Sequence, residues 1–112
     1  MENLGKARIY LSGAITGCDD YIQHFEAAEK QLTGEGFSVI NPARILDQLP
    51  KDTTKYEEYM ELSMNLLDMC DFICMLEGWE QSRGANREYG YALGRDKTII
   101  KESLLKIEKI KK

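Results

Sequence analysis

Residues 71–100 read DFICMLEGWEQSRGANREYGYALGRDKTII. Two short apolar runs, Phe72–Leu76 and Lys97–Ile100, flank a longer segment of helical character. Each run is bounded by turn formers and reads as a strand. Phe72–Leu76 has no polar alternation, which predicts burial on both faces. Between the strands, Glu77–Gln81 reads as a turn. Ser82 is placed to cap a helix running to about Leu93, and Gly94 stands where helices commonly end. Ala85, Glu88, Tyr89 and Ala92 share one face of that helix. A strand, a crossover helix and a second strand make a parallel pair. This unit decides the fold, and the rest of the chain repeats it.

Toward the N-terminus, Arg8–Leu11 reads as a strand ended by Ser12-Gly13. Tyr21, Phe25, Ala28 and Leu32 form one helical face, closed by Gly34 and Gly36. Phe37–Ile40 reads as a second strand, stopped by Asn41-Pro42. Ala43–Thr54 reads as a loop with one helical turn. From Tyr56 to Cys70 a helix carries the stripe Tyr56, Met60, Ser63, Leu67 and Cys70, widened by Tyr59 and Leu66. Leu104–Ile110 reads as a terminal helix whose Leu104, Leu105, Ile107 and Ile110 pack beneath a solvated Lys face. Alternating strands and helices predict an α/β fold: a single domain, residues 1–112, with a three-layer doubly wound parallel sheet of four to five strands, Rossmann- or flavodoxin-like. Such sheets take ligands beyond the carboxyl ends of their strands. Here those ends are Ser12–Asp20, Asn41–Pro42 and Glu77–Gly84.

Composition narrows the function classes. The 112 residues are 43% hydrophobic and 30% charged, with a net charge of −4. That is ordinary globular composition. The last twelve residues hold five Lys and two Glu, so the body before them is more acidic than the whole. An acidic body argues against a partner that is a nucleic-acid polymer. No apolar run approaches the roughly 18 residues of a membrane span, so no membrane partner is expected. The opening Met1–Arg8 is polar, unlike a signal peptide. Three Cys without a CxxC pair do not look like a disulfide framework. The expected setting is the reducing cytoplasm.

Several residues are candidates for chemistry. Ser12-Gly13-Ala14-Ile15-Thr16-Gly17 follows a strand and can offer backbone N–H groups to an anion, or serve only as a tight turn. It is neither a Walker loop nor a dinucleotide fingerprint. Ser82 and Gly84 sit at a helix start, which favours a phosphate, with Arg83 in reach to add charge. Plain N-capping by Ser82 with Arg83 in solvent is the alternative. Glu88 stands on an apolar face, where a carboxylate is costly unless it is paired or used. It either reaches water at the edge of the stripe or faces a pocket at the strand ends. Tyr10 can reach the same pocket or remain a half-buried strand aromatic. His24 precedes core-facing Phe25 and reads as a surface residue. Cys70 and Cys74 read as core filler. Asp19 and Asp20 read as caps of the first helix. No metal-ligand spacing is present.

Arg8-Ile9-Tyr10-Leu11-Ser12-Gly13 with Gly17, then Asp71-Phe72-Ile73, then Gly78-Trp79-Glu80, Ser82, Gly84-Ala85, Glu88 and Ala92 form a pattern. It resembles the nucleoside 2-deoxyribosyltransferase family, in particular its short branch. It also resembles the neighbouring 2′-deoxynucleoside 5′-monophosphate N-glycosidases. The likeness covers roughly residues 8–100 and is most specific over Ser82–Ala92. The resemblance implies that Glu88 is a nucleophile that attacks C1′ of deoxyribose and expels the base. Water or a second base then takes the sugar from the ester, a double displacement with retention. It further implies that Tyr10 orients Glu88, and that Ser12, Gly13, Ile15, Gly17, Ser63, Gly78, Trp79, Ser82 and Gly84 contact substrate. Trp79 either stacks on the base or only packs.

Two positions refine this. Transferases acting on free nucleosides carry an Asp six residues before the nucleophile, and here that position is Ser82. A hydroxyl and bare amides accept a 5′-phosphate that an Asp would repel. The resemblance therefore favours 2′-deoxynucleoside 5′-monophosphates over free 2′-deoxynucleosides. The second position is Ser63, which stands where the family usually has an Asp near the base. Asp68 should face elsewhere, and Asp19 or Asp20 is left as a possible acid. No metal or organic cofactor is implied. A homo-oligomer, dimer or higher, is expected. At 112 residues the chain lacks the C-terminal region of full-length transferases, which fits a glycosidase-like branch. Two other readings stand beside the enzyme. One is a catalytically weak nucleotide-binding or sensing module of the same fold. The other is an interaction protein that uses the acidic body and basic tail.

Overall fold

A computed structural model describes residues 7–15 and 20–105. The elements run β1 (Arg8–Ser12), α1 (Tyr21–Gly34), β2 (Ser38–Ile40), α2 (Pro42–Leu46), α3 (Tyr56–Asp68), β3 (Phe72–Met75), α4 (Arg83–Gly94) and β4 (Thr98–Lys101). A single 3₁₀ turn, Trp79–Gln81, stands between β3 and α4. The chain is helical again from Glu102 to Leu105, where the described residues stop. The rest of the expected terminal helix lies outside them. Leu105 packs against the core, whereas Leu104 is 58% exposed, which corrects its expected packing role.

The four strands form one parallel sheet in the order β2-β1-β3-β4. This is the expected three-layer α/β architecture, with the strand number at the lower end of the range. The order has a direct consequence. The chain leaves β1 in one direction to reach β2, then returns past β1 to β3 and on to β4. Right-handed crossovers place α1 on one face and α3 and α4 on the other. The loops after β1 and β3 therefore diverge, and a crevice opens at their carboxyl ends.

Side-chain alternation in β1 divides the core in two. Ile9 and Leu11 pack with Phe25, Ala28 and Leu32 of α1, together with Cys74 and Leu76. Tyr10 faces the other way and joins Leu67, Cys70, Ile73, Met75, Ala85 and Ala92. Ser12 is two residues beyond Tyr10, so it shares that second face. Burial pushes the Cys70 thiol up to about 11 and the Cys74 thiol up to about 12. Both are packing residues, as expected.

The stretch expected to be loop with one turn begins with a capped helix. Asn41 accepts the Ala43 N–H at 3.0 Å and Pro42 occupies the first turn, where its missing N–H costs nothing. The remaining loop to Thr54 connects α2 to α3.

Candidate active site

Burial of Glu88 organises the site. Ser82 caps α4 by accepting the Ala85 N–H at 3.1 Å. One and a half turns later Glu88 points down at β1 and is only 7% exposed. Tyr10 donates its phenol hydrogen to Oε2 at 2.7 Å. Ser12 donates its hydroxyl hydrogen to Oε1 at 2.6 Å. Each carboxylate oxygen thus has a donor from the same face of one strand. The Ser63 hydroxyl on α3 lies close enough to favour the charged form of Glu88 further. Burial raises the pKa of Glu88, while the Ser12, Tyr10 and Ser63 hydroxyls pull it back, leaving it above the usual carboxylate range. Burial and the adjacent Glu88 carboxylate push the Tyr10 phenol well above its ordinary value. Tyr10 therefore remains a neutral donor.

Glu88 lies in a cavity of about 240 Å³. That is just below the range typical of drug-sized ligands, so it suits a small molecule. Tyr10, Gly13, Ile15, Ser63, Ser82 and Gly84 line it with Glu88. The sequence-derived pocket residues therefore converge, with four exceptions among those described. Ser12 is buried and bonds Glu88 without itself lining the cavity. Gly78, Trp79 and Asp20 also stand outside the lining. Gly78 takes a left-handed turn at φ +89°, and Trp79 stacks at 4.8 Å on Tyr89 as a packing residue. Asp20 is exposed at the start of α1, forms no side-chain cap and does not line the cavity. Gly17 and Asp19 lie outside the described residues.

Local constraints shape the floor. A Cβ on Gly13 would approach Leu76 Cβ to 3.0 Å, so the turn after β1 packs closely on Leu76 and a side chain there would push Leu76 aside. A Cβ on Gly84 would meet Met60 Sδ at 3.4 Å, an ordinary contact reaching into the pocket. The Ser82 N–H already donates to the Trp79 carbonyl at 2.9 Å. The Ala85 N–H is taken by the cap. The helix start thus leaves the Arg83 and Gly84 N–H groups without intrahelical acceptors. Arg83 stacks 4.8 Å over the Tyr56 ring at the pocket rim. Asp68 faces away from the cavity, as expected, and accepts from the Tyr91 hydroxyl at 2.7 Å.

Several wall residues escaped the sequence reading. Tyr56, Tyr59 and Met60 were legible only as a packing stripe, and they form one wall beside Ser63. Tyr21 and Phe25 of α1, Pro42 of α2, and Asp47 and Lys51 after it also line the cavity. The sequence reading did not single out Asp47 and Lys51, whose only signal is their i, i+4 spacing. His24 is not a free surface residue either. Its Nε2 lies 2.9 Å from Glu102, a buried carboxylate that also accepts the Glu77 N–H at 2.7 Å. Among the described residues no group of His, Cys, Asp and Glu could hold a metal ion.

The family described as a domain of unknown function, DUF4406, matches residues 7–101. The chain belongs to the DUF4406 family. The match runs from just before β1 to the end of β4, so the DUF4406 domain contains the whole sheet and every lining residue named above. No curated protein and no solved structure matches the chain significantly. Among the described residues no helix is long and apolar enough to cross a membrane.

Proposed function

We propose that this DUF4406 domain cleaves the N-glycosidic bond of 2′-deoxynucleoside 5′-monophosphates. One observation carries the proposal: a buried carboxylate, Glu88, held at both oxygens by Tyr10 and Ser12 inside a small-molecule cavity. Burying a carboxylate costs several kcal/mol unless it is compensated, and a site that keeps one there uses it. The resemblance to deoxyribosyltransferases and to deoxynucleotide N-glycosidases supplies the reaction. Glu88 attacks C1′, the C1′–N bond breaks, and a glutamyl–deoxyribosyl ester forms. Water or a second base then releases the sugar with retention. Tyr10 and Ser12 fix the carboxylate in position and keep it ionisable despite its burial. The open Arg83 and Gly84 amides, with the Ser82 hydroxyl, form the phosphate end.

The experiment is incubation with the four 2′-deoxynucleoside 5′-monophosphates and with the free nucleosides, reading released base. Release from monophosphates in preference to nucleosides, abolished in Glu88→Gln, supports the proposal. Adding a second base and looking for a new nucleotide separates transfer from hydrolysis. A second reading, a nucleotide-binding module without turnover, is favoured by Ser63 at the position where the resemblance implies an acid. Binding of the monophosphates without any base release would establish it.

A further inference from the structure

Breaking a C1′–N bond leaves an electron pair on a base nitrogen, and ordinary bases depart poorly as bare anions. The reaction proposed above therefore needs a group that takes charge off the leaving base. Ser63 has a hydroxyl only, and Asp20 is exposed away from the cavity. Apart from Glu88 and the tyrosines, the ionisable side chains of the described lining are Asp47 and Lys51. Lys51 Nζ lies 2.9 Å from Asp47 Oδ1. Its side chain is 65% exposed, so the ammonium is free to move toward a ligand.

Sheet order sets where this pair lies relative to Glu88. Glu88 is bonded to two residues of β1. Ser82 and Gly84 start the helix that follows β3, on one side of β1. Asp47 and Lys51 follow β2, the strand on the other side of β1, through α2, which packs on β1, α1 and α3. Both polar groups line the cavity that holds Glu88. A nucleotide whose phosphate lies at the α4 end and whose sugar lies over Glu88 directs its base toward Lys51.

We propose that Lys51 is a catalytic residue that stabilises the leaving base, and that Asp47 is its positioning residue. The inference rests on the reading under Proposed function. In the step, a Glu88 oxygen bonds to C1′ as the C1′–N bond breaks, and the electron pair of that bond stays on the base. The Lys51 ammonium hydrogen-bonds the base and passes one proton to a ring nitrogen. The resulting amine regains a proton from solvent water. The adjacent Asp47 carboxylate favours the charged ammonium between turnovers.

The test compares wild type, Lys51→Met and Lys51→Arg on ordinary 2′-deoxynucleoside 5′-monophosphates and on N7-methyl-2′-deoxyguanosine 5′-monophosphate. The methylated base already carries a positive charge and departs as a neutral molecule. Lys51→Met is expected to lower kcat on the ordinary substrates about a hundredfold, the scale of one lost transition-state donor. It is expected to leave the methylated substrate within about twofold of wild type, with Lys51→Arg recovering part of the loss. An equal loss on both kinds of substrate overturns the inference, and so does no loss on either. A rise in KM on all the monophosphates with kcat unchanged also overturns it, because Lys51 would then only bind substrate, as a ligand of the phosphate they share. Wild type that releases no base from any substrate refutes the parent reading instead.

Discussion

Replacing Glu88 by Gln tests whether the site is kept at the expense of stability. The substitution preserves shape and keeps one acceptor, while its NH2 group donates to the second of the Tyr10 and Ser12 hydroxyls, which can rotate to accept. It removes one buried charge. Burial raises the pKa of Glu88 in the folded protein despite three compensating hydroxyls, so the ionised carboxylate is a net cost there. Above the folded pKa, Glu88 is charged in both states and wild type bears that cost in full. As pH falls through the folded pKa, the native carboxylate takes up a proton and the cost disappears. Below the unfolded value of about 4.3, both states are neutral and wild type and variant converge. Glu88→Gln is therefore expected to be more stable by about 1–2 kcal/mol at pH 8, within the range that mutations give for an incompletely compensated buried polar group. That corresponds to a rise in Tm of roughly 4–15 °C for a chain of this size. Thermal melts of both proteins from pH 4 to 8 measure it. A variant that is less stable than wild type at every pH would refute the reasoning, because the hydroxyls would then outweigh burial.

Tyr10→Phe removes one donor to the charged carboxylate, a bond worth about 1.5–3 kcal/mol. The pKa of Glu88 rises further, so the acid limb of the base-release profile should move to higher pH by about 1–2 units. Ser82→Ala removes the α4 cap and should lower stability by about 1 kcal/mol, read in denaturant melts. In a Cys18→Ser background, iodoacetamide at pH 8 should modify Cys70 and Cys74 only once the chain is unfolded, because burial holds both thiols at about 11 and about 12.

The elements were legible because their signals are local. The run of β-formers at Arg8–Leu11, the i, i+4, i+7 spacing in α1 and α3, and the Ser82 cap each depend on neighbours within a turn or two. Glu88 was legible for a related reason: a carboxylate on an apolar stripe is an anomaly visible in one helix. Trp79 was ambiguous because an aromatic beside a turn can face either way. Its partner Tyr89 is ten residues further on, across a helix start. The α3 stripe was misleading in a different way. Tyr56, Tyr59 and Met60 have the spacing of core residues, and the space they face is a cavity.

By itself the sequence determined an alternating α/β chain, the carboxyl-end loops as the place for a ligand, and Glu88 as the residue out of keeping with its surroundings. Periodicity and capping carry that much because each is a property of one element. Only the tertiary structure decided which hydroxyls hold Glu88 and which ionisable pair shares its cavity. Tyr10 and Ser12 meet Glu88 across 78 and 76 residues of chain. Asp47 and Lys51 join the same cavity from a loop without a motif. The physical reason is the strand order. With β1 at the centre, its two same-face side chains project beneath α4, while the segments after β2 and β3 border the same crevice.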